Sequence, residues 1–192
     1  MESQRFDLGP AADEVARVVA GIRDDQLDDP TPCDGTTVAG LLDHLVGLTE
    51  AFRCAAEKTP LPGQASASPE ALVPDWQTRL PRQLSALAQA WRSPGAWEGT
   101  ASAGGVEMPA PAMAAVALDE LVVHGWDLAV ATGQPYSVSD ADAEACISFA
   151  GAVGESPEER AGLYGPRVPV AADAPVVDRL LGLTGRDPSW RP

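Results

Sequence analysis

Apolar residues gather in four long runs of this chain, at clear helical spacing in the first two, and each run is closed by a cluster rich in Pro, Gly or Asp. Such a pattern commits the backbone to helices that each hide one face, and so to packing those faces together. Val15, Val18, Val19 and Ile22 fall at i, i+3, i+4 and i+7 and define a first helix over about 10–22. The segment DDPTPCDG breaks the pattern, and Thr36 or Thr37 then stands where an N-cap is needed for a second helix reaching Lys58. Its buried stripe is Val38, Leu41, Leu45, Leu48 and Phe52. A third helix is expected over about 73–91 with a kink at Pro81, and a fourth, rich in alanine, over about 112–132.

The intervening stretches read differently. Residues 59–70 hold no periodic pattern and are expected to form an exposed loop, while the Gly-rich stretch 93–111 suggests an irregular hairpin. Gly133 to Pro135 end the fourth helix, Ser139 with Asp142 resembles a capping box opening a fifth helix to about Val153, and a short helix is expected over 176–183. A chain of 192 residues, 45% apolar but only 5% aromatic, fits closely packed helices better than a sheet sandwich. The expectation is an all-α fold in one domain, residues 1–192, with about 134–192 forming an extension packed on a four-helix core.

Charge and cysteine usage narrow the function. Thirteen basic against 28 acidic residues give a net charge of −15, which repels a phosphate backbone, so nucleic acid is not an expected partner. Cys33, Cys54 and Cys146 show no CxxC spacing and read as reduced thiols. No basic and apolar leader and no run of about 18 apolar residues is present, so a cytoplasmic protein without a membrane segment is expected.

The chain holds two histidines, His44 in LLDHLVG and His124 in DELVVHGWD, each near the middle of a strong helix. Glu120 precedes His124 by four residues, which places both side chains on one helix face. His44 lies at the edge of its apolar stripe beside Gly40, Gly47 and Ala51, small residues that leave room for a ligand. A lone histidine on such a face is more often a satisfied core residue, and a Glu/His pair at this spacing is more often a surface pair. Burying Glu120 unpaired would cost several kcal/mol, however, and one divalent ion would satisfy it together with both imidazoles. Asp127 either orients a ligand histidine, serves as a base, or simply caps the helix. Cys33 lies about three turns from His44 along a straight helix and reads as structural, and Trp91, Trp97 and Trp126 read as packing.

Three stretches carry a family resemblance: DDQLDDPTPCDGTTVAGLLDHLVG, then DELVVHGWDLAVATGQP, then LYGPRVPVAADAPVVDRLLGLTGRDPSW. With these the chain resembles the DinB-like metalloprotein superfamily, and within it the mycothiol-dependent maleylpyruvate isomerase N-terminal-domain family. The resemblance implies a DinB-like four-helix bundle holding zinc or nickel through one histidine on the second helix and a Glu-x3-His pair on a later one. His44, Glu120 and His124 match those positions. It also implies a low-molecular-weight thiol, mycothiol in actinobacterial relatives, as co-substrate, and a small-molecule substrate for a transferase or isomerase. The family usually carries Trp where this chain has Thr36. The isomerase's larger C-terminal domain has no match in this tail, so maleylpyruvate itself is not implied as the substrate.

Two other function classes stay open at this stage. One is a non-catalytic metal- or ligand-binding helical module; the His-x3-Cys-x2-Cys spacing of zinc-binding anti-sigma domains is absent. The other is a metal-independent bundle acting as a cyclase or binding protein. Pairing into a homodimer through helix faces suits bundles of this kind, and residues 59–70 and 94–110 are the candidate substrate-selecting loops.

Overall fold

The computed structural model describes residues 5–61 and 71–192. The helices are α1 Gly9–Ala20, α2 Val38–Glu57, α3 Trp76–Trp91, α4 Ala110–Ala131, α5 Asp140–Ala150, α6 Pro157–Arg160 and α7 Val176–Leu183. Strands β1 Thr100–Ala103 and β2 Val106–Pro109 form one antiparallel hairpin, with Ala103 opposite Val106. Its two-residue turn is Gly104–Gly105, both with positive φ, which suits the twist of a tight hairpin and makes it more regular than the sequence suggests.

α1 and α2 each pack against both α3 and α4, so the four long helices form a bundle in which α1 and α2 lie across one diagonal. A continuous core fills it: Val15, Val18 and Val19 from α1, Leu41, Leu42 and Leu45 from α2, Leu80, Leu84 and Leu87 from α3, and Met113, Leu118, Leu121 and Leu128 from α4 are all buried. α4 is buried on most sides because α5 covers the surface that the bundle leaves free, and α7 packs on α5 in turn. This explains an apolar face too broad to read as a stripe.

Local chemistry sets the helix ends. Thr37, rather than Thr36, caps α2, its hydroxyl accepting the Gly40 N–H at 3.3 Å. α3 runs through Pro81 without interruption but starts at Trp76, later than expected, because Val73 to Asp75 form a turn. α4 begins two residues early, with Pro111 in its first turn where a missing N–H costs nothing. Ser139 caps α5, but only half of the capping box forms, and the helix stops at Ala150. The full box belongs to Ser156 and Glu159 at α6, a helix the periodicity does not predict because one turn holds no pattern.

One close approach fixes how α1 meets α4. A Cβ on Gly125 would lie 2.9 Å from Val15 Cγ2 and 2.7 Å from the Tyr136 hydroxyl, which donates to the Val122 carbonyl. Gly125 directly follows His124 in α4. Gly125→Ala is expected to destabilise the fold by about 1–3 kcal/mol, through overpacking against Val15 and Tyr136. Denaturant unfolding would show it as a lowered midpoint, and an unchanged midpoint would mean that the contact is slack.

Candidate metal site and cavity

α2 and α4 bring His44, Glu120 and His124 together, and one ligand atom from each lies within 4.8 Å of the others. The Glu120 Oε2 atom stands 3.0 Å from His124 Nε2 and 3.5 Å from His44 Nε2, and the two rings are nearly perpendicular with centroids 5.2 Å apart. Donors bonded to one ion at zinc–nitrogen and zinc–oxygen distances sit roughly 3.0–3.5 Å apart, depending on geometry. The observed spacings fall within that range.

The state of Glu120 tests the fit more sharply. Its side chain keeps 24% of its surface exposed, yet Oε2 is shut off from water and neither nearby imidazole is aligned to donate a hydrogen bond to it. A buried carboxylate oxygen held by charge to two nearby ring nitrogens, without an aligned hydrogen bond, is incompletely satisfied for a polar core. It is the arrangement that an ion between the three atoms would satisfy, and the donor set of two imidazoles and one carboxylate suits zinc or nickel.

The surroundings hold His124 in one orientation. Its Nδ1 lies 3.0 Å from Asp127 Oδ2, so the carboxylate keeps the proton on Nδ1 and leaves Nε2 turned toward Glu120. Asp127 is wholly buried, and Arg186 balances it with Nη2 at 3.1 Å and Nε at 3.4 Å. A positioning role for Asp127 thus agrees with the structure better than that of a base, since no face of it meets solvent. Next door, Asp119 accepts a 2.7 Å hydrogen bond from the Tyr164 hydroxyl, and burial pushes its carboxyl up to about 7.

His44, Glu120 and His124 line a cavity of about 860 Å³, a size common among small-molecule sites. One wall is the loop from Pro32 to Thr37, and the opposite wall is the segment from Gly162 to Pro169 together with Gly185 and Arg186. The tail is held there by backbone crossing: Gly185, at φ 84, sits where a Cβ would lie 2.8 Å from the Gly165 backbone, and Arg160 donates to the carbonyls of Gly165 and Leu183. Thr36 lines the cavity where the family usually has Trp, so that stretch of wall carries a small hydroxyl residue.

Several expectations need correction. Cys33 stays outside the cluster with His44, but the loop doubles back along the start of α2, pinned by Val38 N–H to Asp29 and Ala39 N–H to Leu27, and its sulfur comes within 4.8 Å of ligand atoms on His124 and Asp127. Counting turns along α2 missed this because Cys33 reaches α4 across the bundle rather than along the helix. Residues 94–110 do not line the cavity among the described residues; Lys58 Nζ ties this region to the end of α2 through the Ala96 and Thr100 carbonyls. Of 59–70, residues 62–70 lie outside the described residues. Trp91 and Trp97 are buried against each other, with the Trp97 N–H donating to the Trp91 carbonyl at 2.6 Å, and Trp126 lies away from the cavity. Arg186, Tyr164 and the 162–169 wall had no chemical signature of their own in the sequence beyond the family-like tail. Among the described residues no helix is long and apolar enough to cross a membrane.

The comparisons with known proteins bear on the same elements. The family model described as "Mycothiol maleylpyruvate isomerase N-terminal domain" matches residues 8–129. Two uncharacterized proteins of Mycobacterium tuberculosis, from the CDC 1551 / Oshkosh and H37Rv strains, are each 30% identical over 182 residues, covering 92% of this chain and 93% of theirs. Two crystal structures of the mycothiol-dependent maleylpyruvate isomerase share the fold, a histidine-to-alanine mutant at 20% identity and TM-score 0.53 and a second at 18% and 0.52. Each match covers 76% of this chain and 65% of the isomerase chain, so the chain spans about two thirds of the length of those solved proteins.

The electrostatics of the ion-free site give a pH test. Burial disfavours a charged His124, but Asp127 and Glu120 on either side overcome it and raise its pKa to about 10. Burial likewise opposes the Glu120 carboxylate, and the two imidazoles hold its carboxyl well below the usual range. At neutral pH His124 is therefore protonated, and a metal must displace that proton to bind. Titration calorimetry of zinc into the ion-free protein, in buffers of differing ionisation enthalpy, should show about one proton released from His124 near pH 7.5, with affinity rising about tenfold per pH unit up to pH 9. Binding without proton release would contradict this electrostatic picture.

Proposed function

The chain belongs to the mycothiol maleylpyruvate isomerase N-terminal domain family, and on that premise we propose that it is a divalent-metal-dependent enzyme of small-molecule metabolism that uses a low-molecular-weight thiol, mycothiol, as co-substrate. The observation that carries the reading is the convergence of His44, Glu120 and His124 in the lining of an open cavity, with Glu120 Oε2 buried and lacking an aligned hydrogen bond. Three protein donors leave coordination positions for an exogenous ligand, as catalytic sites do and closed structural sites do not. The mycothiol-dependent isomerase of similar fold supports the thiol and an isomerase or transferase type of reaction.

In this reading His44 and His124 offer Nε2, and Glu120 its carboxylate, to zinc or nickel. A divalent ion so held keeps one net positive charge, and when bound it supplies the field that lowers a thiol's pKa and stabilises the thiolate. The protein's own residues do the rest. Asp127 fixes the His124 tautomer, and Arg186 cancels the Asp127 charge so that it does not offset that of the site. The loop from Pro32 to Thr37 and the segment from Gly162 to Pro169 enclose the space where a thiol and an acceptor molecule would meet. Tyr164, held by Asp119, is the phenol in that wall. The substrate selection expected of residues 94–110 passes to these two walls.

Replacing the native ion with cobalt(II) makes the thiol visible. Titrating mycothiol into the cobalt-substituted protein should produce a saturable near-ultraviolet thiolate-to-cobalt band, and the band should be absent in Glu120→Ala. A cobalt-loaded protein that gives no such band with mycothiol would contradict the thiol reading.

A further inference from the structure

We propose that Arg167 is the anion-binding residue of the cavity, exchanging its ion pair with Glu155 for the carboxylate of a small organic acid with an apolar stem. The proposal rests on the cavity being the substrate site, as argued above, but not on the identity of the thiol. Beyond the cluster of His44, Glu120 and His124, the charged residues lining the cavity are Asp34, Arg167 and Arg186. Arg186 is already committed: its side chain is 7% exposed, with Nε and Nη2 on Asp127 and Nη1 on the Thr184 carbonyl. Arg167 is not. Its side chain is 36% exposed, and Nη1 alone is engaged, 2.9 Å from an oxygen of Glu155 that is itself 80% exposed.

An exposed pair of that kind contributes about 0–1 kcal/mol, so a ligand carboxylate competes with Glu155 at little cost. The edge of the guanidinium carrying Nε and Nη2 has no protein acceptor among the described residues, which leaves it open to a bidentate carboxylate. The backbone beneath is held, with Val168 N–H on the Gly182 carbonyl and Arg160 on the Gly165 carbonyl, so the side chain can change partners without moving the wall.

The rest of the ligand follows from the lining. Leu41, Leu163, Pro166, Val168 and Pro169 line the cavity with apolar side chains, and Leu163 is 51% exposed. A chain of net charge −15 repels anions at long range, so an anion retained here needs a local cation. Arg167 is the guanidinium among the described lining residues with donors to spare. Glu155 then acts as an internal competitor that occupies Arg167 until a carboxylate arrives.

Titration calorimetry on the zinc-loaded protein would compare 6-mercaptohexanoate with 6-mercaptohexanol, and hexanoate with hexanol. The wild type should favour each acid by about tenfold, Arg167→Gln should reduce that preference to about twofold or less, and Glu155→Gln should increase it. A preference that is absent from the wild type, or that survives in Arg167→Gln, would overturn the proposal. If neither thiol compound bound through its sulfur but hexanoate were still favoured over hexanol through Arg167, the thiol reading would fall and the anion site would stand.

Discussion

A carboxylate and two imidazoles face one another between α2 and α4 inside a bundle otherwise filled with leucine, valine and alanine. Placing that much polarity in a core is costly unless every atom is satisfied, and much of the surrounding structure answers to that requirement. On another side of α4, the absence of a side chain at Gly125 lets α1 and Tyr136 close on the helix next to His124. Behind His124, Asp127 is buried completely to orient the ring, and that second charge requires a third group, Arg186, brought from the far end of the chain.

The C-terminal extension therefore belongs to the site as much as to the exterior. α5 and α7 cover α4, the crossing of Gly165 and Gly185 sets the tail segments against each other, and Arg160 ties both to one guanidinium. The bundle supplies the cluster of His44, Glu120 and His124, and the cavity above it is walled by the loop before α2 and by the tail. The family model stops at residue 129, short of that wall. His44, Glu120 and His124 lie inside the matched region together with the Pro32 to Thr37 part of the cavity lining, whereas the lining from Gly162 to Pro169, Gly185 and Arg186 lies outside it.

The helices were legible in the sequence wherever burial is one-sided. α1 carries a clean stripe and was found within two residues, and α7 was found at its full length. α4 is covered on several sides, so its position came from length and alanine content rather than from periodicity. The juxtaposition of His44 with Glu120 and His124 was suggested by two histidines on core-facing helices and implied by the family resemblance. Contacts made by loops were not legible: Cys33 reaches His124 because a Pro- and Asp-rich loop folds back on its own hydrogen bonds, and Arg186 reaches Asp127 across 59 residues. Neither has a period or a local pair to mark it. Residues 94–110 do not line the cavity among the described residues, since a Gly-rich stretch signals a turn but not which part of the bundle it covers.

The reading depends on an ion at the three-residue cluster, and metal content addresses it directly. Elemental analysis of freshly purified protein should find about one zinc or nickel ion per chain, lost in both His44→Ala and Glu120→Ala while their helical circular dichroism is retained. A folded wild-type protein that carries no metal and takes up neither zinc nor nickel when they are added would contradict it.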